Sequence, residues 1–172
     1  MQKASLDRSP DLSGVKSAVI TLSDRACAGV YDDTSGHSIC NALKSIGSNV
    51  VAYQVLPDDE KQLQDKIFAI INEFKPTLII TTGGTGMGKR DITPEAIIAI
   101  ADKTLPGIGE LLRTYGSQFT PYSWISRSLA AVVKNTLVIC LPGSERAVKE
   151  GLACLSPVLS HLSSILHGNN HD

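Results

Sequence analysis

Four short runs of nearly unbroken apolar residues recur along the chain: KSAVITLS at Lys16–Ser23, NVVAYQVL at Asn49–Leu56, TLIITT at Thr77–Thr82 and TLVICL at Thr136–Leu141. Runs of this length, rich in valine, isoleucine and threonine and without polar alternation, fit strands covered on both faces, as in a parallel sheet. Segments of helical period separate the first three. Ile39, Leu43 and Ile46 mark one apolar face, with Gly47 placed to end the helix, and Leu63, Ile67, Ile70, Ile71 and Phe74 mark the next, ended by Pro76. A βαβαβ alternation folds as a sheet with right-handed crossovers and helices on both faces. The expected fold is therefore a doubly wound α/β domain, a three-layer sandwich around a mostly parallel sheet.

The remaining segments fit around that frame. A chain of 172 residues, 42% hydrophobic and 19% charged, supports one core. The expected division is a polar arm over residues 1–14, one domain over 15–167 and a frayed tail over 168–172. A helix is expected to open at Thr93-Pro94, with the threonine as its cap, and another near Pro106-Gly107, carrying Glu110 and Arg113. The stretch from Thr120 to Lys134 fits loop, strand or helix. A last helix from Ser144 is interrupted at Pro157.

Charge and cysteine content exclude several classes of function. A formal net charge of -1 provides no overall field for nucleic acid or an anionic membrane, so any anion site must be local. No apolar stretch reaches spanning length and the first residues hold no signal-like core, which places the expected protein in the cytoplasm. Cys27, Cys40, Cys140 and Cys154 form no CxxC pair and read as free thiols.

In open parallel sheets, ligands bind beyond the carboxyl ends of the strands. Here each apolar run enters a polar loop: SDRACAGVYDD, LPDDE, TTGGTGMGKRD and LPGSER. Taken singly, each has a plain structural reading. Asp58 or Asp59 caps a helix, Asp91 is a turn carboxylate, Gly143-Ser144 is a turn and cap, Ser23 ends a strand, and Asp24–Arg25 and Glu110–Arg113 are surface pairs. Four such loops on one edge point instead to a shared site.

The third loop is the most specific. Gly83, Gly84 and Gly86 allow positive φ and close backbone approach, which suits a phosphate cradle, and Lys89 and Arg90 add positive charge. Gly83–Lys89 fits G-x-x-x-x-G-K, but Arg90 stands where a P-loop requires serine or threonine, and the helix begins only near Pro94. The dinucleotide fingerprint fails because Lys89 replaces its last glycine. A polyphosphate with bound Mg²⁺ satisfies both the cations and the carboxylates of Asp24, Asp58, Asp91 and Glu110, the mixture nucleotidyl transfer needs.

The strings LSDRACAGVYDD, LPDDE, TTGGTGMGKRDITPEA, LPGIGELLR, SRSLAAVV and LPGSER, in that order from about Lys16 to Leu166, resemble the molybdopterin adenylyltransferase family of molybdenum-cofactor biosynthesis, the MogA and MoaB group. The resemblance implies Mg²⁺-dependent transfer of AMP from ATP to the terminal phosphate of molybdopterin, with release of pyrophosphate. It implies a homotrimer, which can pair into a hexamer, and hand-over of product to a molybdenum insertase. Asp58 and Asp91 are then the catalytic and Mg²⁺-linked acids, and Glu110 helps order the site. Gly83, Gly84, Thr85 and Gly86 hold nucleotide phosphates beside Arg90, Ser126 and Arg127 contact the pterin phosphate, and Ser23, Asp24, Pro142, Gly143 and Ser144 complete the pocket. The alternative within the same resemblance is a trimeric paralogue that binds molybdopterin without turning over ATP. One departure stands out: Ser144-Glu145-Arg146 occupies a position where the family commonly has Ser-Pro-Lys.

Overall fold

The computed structural model describes residues 11–166. The strands β1 (Lys16–Leu22), β2 (Asn49–Leu56), β3 (Leu78–Thr82), β4 (Lys103–Thr104), β5 (Ala130–Val133) and β6 (Thr136–Leu141) form one sheet in the order β2-β1-β3-β6-β5-β4. β2, β1, β3 and β6 run parallel, while β5 and β4 extend the sheet antiparallel beyond β6. The helices are α1 (Asp24–Cys27), α2 (Thr34–Ser45), α3 (Glu60–Phe74), α4 (Thr93–Ile100), α5 (Pro106–Gly116) and α6 (Glu145–Leu166), with a 3-10 turn at Pro121–Ile125. This is the expected mostly parallel α/β sandwich.

Strand register explains why both faces are buried. Val19, Ile80 and Ile139 lie in one row across β1, β3 and β6, and Ala18, Ile79 and Val138 lie in the row beside it. Successive strand residues point to opposite faces, so the first row enters the core with Ile39, Leu43, Val148 and Leu155 of α2 and α6. The second packs with Leu63, Ile67 and Ile97 of α3 and α4.

Several sequence expectations need correction. β2 is an edge strand, so Val50–Tyr53 and Val55 are only half-buried. Leu12, inside the expected arm, is 1% exposed, and its N–H donates to the Ile46 carbonyl at 2.7 Å. The stretch 120–134 resolves into the 3-10 turn and β5. α6 continues through Pro157, because Leu155 and Leu159 anchor it to the core on either side of the missing backbone bond. The expected tail over 168–172 and residues 1–10 of the expected arm lie outside the described residues.

Ile80 has no exposed surface and sits at the centre of its row. Ile80→Ala should cost about 2–5 kcal/mol of stability, read as a lower urea midpoint at unchanged slope.

Candidate functional site

The loops that follow β1, β2, β3 and β6 meet at the carboxyl edge of the parallel strands. Ser23 N–H donates to Leu56 O at 2.9 Å and Gly83 N–H to Leu141 O at 3.2 Å, tying the strand ends together. Just beyond, the first two loops clasp each other. Asp24 N–H donates to the Asp58 carboxylate at 3.1 Å, and Asp58 N–H donates to the Asp24 carboxylate at 3.0 Å. Arg90 reaches across from the glycine loop to the same Asp24, its Nε donating at 3.0 Å and its Nη2 at 2.6 and 2.7 Å. The expected Asp24–Arg25 pair does not form; Arg25 lies over the Tyr31 ring at 5.3 Å.

The glycine loop is organised by the fate of its carbonyls. Gly83 O accepts from Thr93 Oγ1 at 2.8 Å and Gly84 O from Thr93 N–H at 3.1 Å. Thr85 O accepts from Arg127 N–H at 2.9 Å and Gly86 O from Arg127 Nε at 2.7 Å. In a planar trans peptide the N–H points opposite to the C=O. The N–H groups of Gly84, Thr85, Gly86 and Met87 are therefore turned away from Thr93 and Arg127, and none of them donates to an acceptor among the described residues. A run of consecutive amide donors without protein partners has the form an anion cradle requires.

Two glycines have no substitute here. Gly83 has φ +95° and a Cβ on it would lie 2.2 Å from Leu22 O, while Gly84 has φ +64° and its Cβ would lie 2.4 Å from Thr93 Oγ1. Thr93 itself was expected to cap α4. Its hydroxyl instead goes to Gly83 O, Ile92 holds the cap position without a side-chain bond, and Thr93 begins the helix.

A cavity of about 300 Å³ opens beside the cradle, lined by Ser23, Tyr31, Asp58, Gly83, Gly84, Arg90, Asp91 and Gly143. Asp58 on its wall and the neighbouring Asp24, which does not line it, are not equivalent. The Asp58 backbone N–H and then the Arg90 guanidinium hold Asp24 below the usual carboxylate range. Burial first, then the negative charges of Asp24 and Asp91, push Asp58 up, against the Asp24 N–H and the Arg90 charge. Asp91 accepts from Gly88 N–H at 2.7 Å, which turns the loop back on itself. Among the described residues no three His, Cys, Asp or Glu side chains form a metal cage. Mg²⁺ commonly takes only one or two carboxylates, leaving its other positions to water and phosphate oxygens, and the cavity wall offers Asp58 and Asp91 for that number.

Other expected residues are distributed more widely. Ser126 and Pro142 line a second cavity of about 200 Å³ between α5, the 3-10 turn and α6. Glu110 is exposed on α5 and lines neither cavity. Arg113 does not pair with it, donating instead to Ser126 O at 3.2 Å and Ser128 O at 3.0 Å. Ser144 caps α6 through Ala147 N–H at 3.3 Å, and Asp59, not Asp58, caps α3 through Gln62 N–H at 2.8 Å. Arg127 grips the glycine loop from behind: besides Gly86 O it donates to Asp91 O at 2.7 Å and pairs with Glu95. Sequence reasoning missed Asp33, a buried carboxylate on the cavity wall that accepts from Thr21 Oγ1 at 2.5 Å, Tyr53 Oη at 2.6 Å and Gly36 N–H at 2.9 Å. Its only signal was an acid pair ahead of a helix-period segment.

Residues 18–161 match the family described as "Probable molybdopterin binding domain". The chain is 43% identical over 160 residues to a molybdenum cofactor biosynthesis bifunctional protein of Synechococcus elongatus; the match covers 93% of this chain and 50% of that protein, so the chain spans half of that relative's length. It is 35% identical over 153 residues to a molybdopterin adenylyltransferase of Helicobacter pylori, covering 88% of this chain and 87% of the relative. In three dimensions it is similar to the crystal structure of the molybdopterin biosynthesis enzyme MoaB from Thermus thermophilus, with a TM-score of 0.84 and 34% identity over 90% of this chain and 97% of the other.

Arg90 lowers both Asp24 and Asp58, so Arg90→Gln should raise both titration midpoints, read by carboxyl carbon NMR. The linkage signs differ. Asp24, depressed in the fold, contributes stability that is lost as pH falls through its midpoint; Asp58, raised, favours the fold when protonated and loses that contribution as pH rises through its midpoint. An Asp58 midpoint that stays put in Arg90→Gln would disprove the charge coupling.

Proposed function

This chain belongs to the family of molybdopterin-binding domains, and from that premise we propose that it is a molybdopterin adenylyltransferase, moving AMP from ATP to the terminal phosphate of molybdopterin. Its role lies in molybdenum cofactor biosynthesis, as an enzyme. The observation that carries the specific reaction is the amide cradle beside the cavity carboxylates Asp58 and Asp91, donors for a polyphosphate next to carboxylates.

In this reading the N–H groups of Gly84, Thr85, Gly86 and Met87 hold ATP phosphates, and Arg90 lies close enough to the same cavity to add charge. Asp58 and Asp91 are the residues that would hold Mg²⁺, which when bound neutralises phosphate charge. An oxygen of the pterin phosphate bonds to the α-phosphorus of ATP, the bond from that phosphorus to the bridging oxygen breaks, and pyrophosphate leaves. The attacking phosphate is already ionised, so no side chain has to take a proton, and positioning carries most of the rate. That requirement agrees with a cavity lined by carboxylates, an arginine and backbone amides. Ser126, at the second cavity, is assigned to the pterin side, and Ser23, Pro142, Gly143 and Ser144 to the walls.

The reading includes a homotrimer acting in the cytoplasm and passing product to a molybdenum insertase. What supports self-association is the exposed apolar group Phe119, Tyr122, Trp124 and Ile125 around the 3-10 turn, with Tyr122 76% exposed. Among the described residues no helix is long and apolar enough to cross a membrane.

A second reading, a paralogue that binds molybdopterin without turning over ATP, draws on Arg146. This residue replaces the lysine common in the family, and its Nε is engaged by Glu150 at 2.8 Å.

Purified protein given ATP, Mg²⁺ and molybdopterin should release pyrophosphate, and Asp58→Asn or Asp91→Asn should lower the rate by about 10²-fold or more. Molybdopterin binding without pyrophosphate release would select the second reading.

A further inference from the structure

We infer that Arg127 is a positioning residue that sets the direction of the cradle amides and does not contact substrate phosphate. Its guanidinium donates from three nitrogens at once: Nε to Gly86 O at 2.7 Å, Nη2 to Asp91 O at 2.7 Å, and Nη1 to the Glu95 carboxylate. Its backbone N–H takes Thr85 O at 2.9 Å. Glu95 neutralises its charge and two loop carbonyls occupy its fork, so little of it remains for an incoming anion.

The consequence for the loop follows from peptide geometry. Fixing Thr85 O and Gly86 O fixes the opposed N–H groups of Gly86 and Met87, half of the cradle. Fixing Gly86 O and Asp91 O from one rigid plane also braces both ends of the segment that carries Met87, Gly88, Lys89 and Arg90. Within that segment Asp91 N–H donates to Gly88 O at 3.0 Å and Gly88 N–H to the Asp91 carboxylate at 2.7 Å, so holding the ends places the Asp91 side chain. Arg127 is itself held. Arg113 donates to Ser126 O and Ser128 O, the carbonyls on either side of it, and so transmits the position of α5 to the glycine loop. A lysine offers donors from a single point and cannot span Gly86 O and Asp91 O as the planar fork does.

The test compares wild type with Arg127→Ala and the conservative Arg127→Lys, which guards against simple misfolding. The first readout is amide hydrogen exchange in the free protein. Gly88 and Asp91 should exchange about tenfold faster or more in both variants, with the Ile80 and Ile139 amides unchanged. The second is the affinity for ATP measured without pterin, which should fall by about tenfold in both variants. This arm rests on the adenylyltransferase reading, whereas the exchange arm does not. A wild-type protein that binds no ATP would therefore count against that reading while the exchange result still decides the role of Arg127. Unchanged exchange at Gly88 and Asp91 overturns the proposal, and unchanged ATP affinity with a selective loss of molybdopterin affinity would make Arg127 a substrate contact instead.

Discussion

Burial of β1, β3 and β6 on both faces is the constraint from which the rest of the structure follows. With Val19, Ile80 and Ile139 committed to one core and Ala18, Ile79 and Val138 to the other, neither face of these strands has room for function. Polar chemistry is left the strand ends. Parallel pairing then places the loops after β1, β3 and β6 on the same edge, which brings Ser23, Gly83 and Gly143 to one cavity.

At that edge the backbone presents a row of donors. A loop whose carbonyls were free would present both signs to a ligand and favour neither. Thr93 and Arg127 remove the carbonyls of Gly83 to Gly86 from contention, and what remains is a surface of N–H dipoles. The side chains around it answer with charge of both signs. Asp24 is paired with Arg90, while Asp58, clasped to Asp24 through the backbone, is pushed up by burial and by the negative charges beside it.

The layered fold and the glycine cradle were legible because their causes are local. An apolar run identifies itself as a buried strand, and a position that only glycine can occupy shows as glycine, as at Gly83 and Gly84. The grip of Arg127 was not legible, because its bond to Gly86 spans 41 residues and leaves no periodic trace. Thr93 was misread for a related reason: a threonine before a proline has the form of a helix cap whatever its hydroxyl does. The edge position of β2 and the buried partners of Asp33 depend on strand order, which the run NVVAYQVL does not encode.

That long reach of Arg127 also bears on how the molecule comes into being. β1, β2, β3 and the glycines Gly83, Gly84 and Gly86 lie within the first half of the chain, and Thr93 follows soon after to hold Gly83 O and Gly84 O, yet Thr85 O and Gly86 O are tied back by Arg127, which emerges much later. A growing or truncated chain ending before Arg127 holds the glycine-rich stretch without the bonds to Thr85 O and Gly86 O. The signature motif is thus present in nascent protein well before all of its carbonyls are held, and the full set of bonds arrives with the final third of the chain.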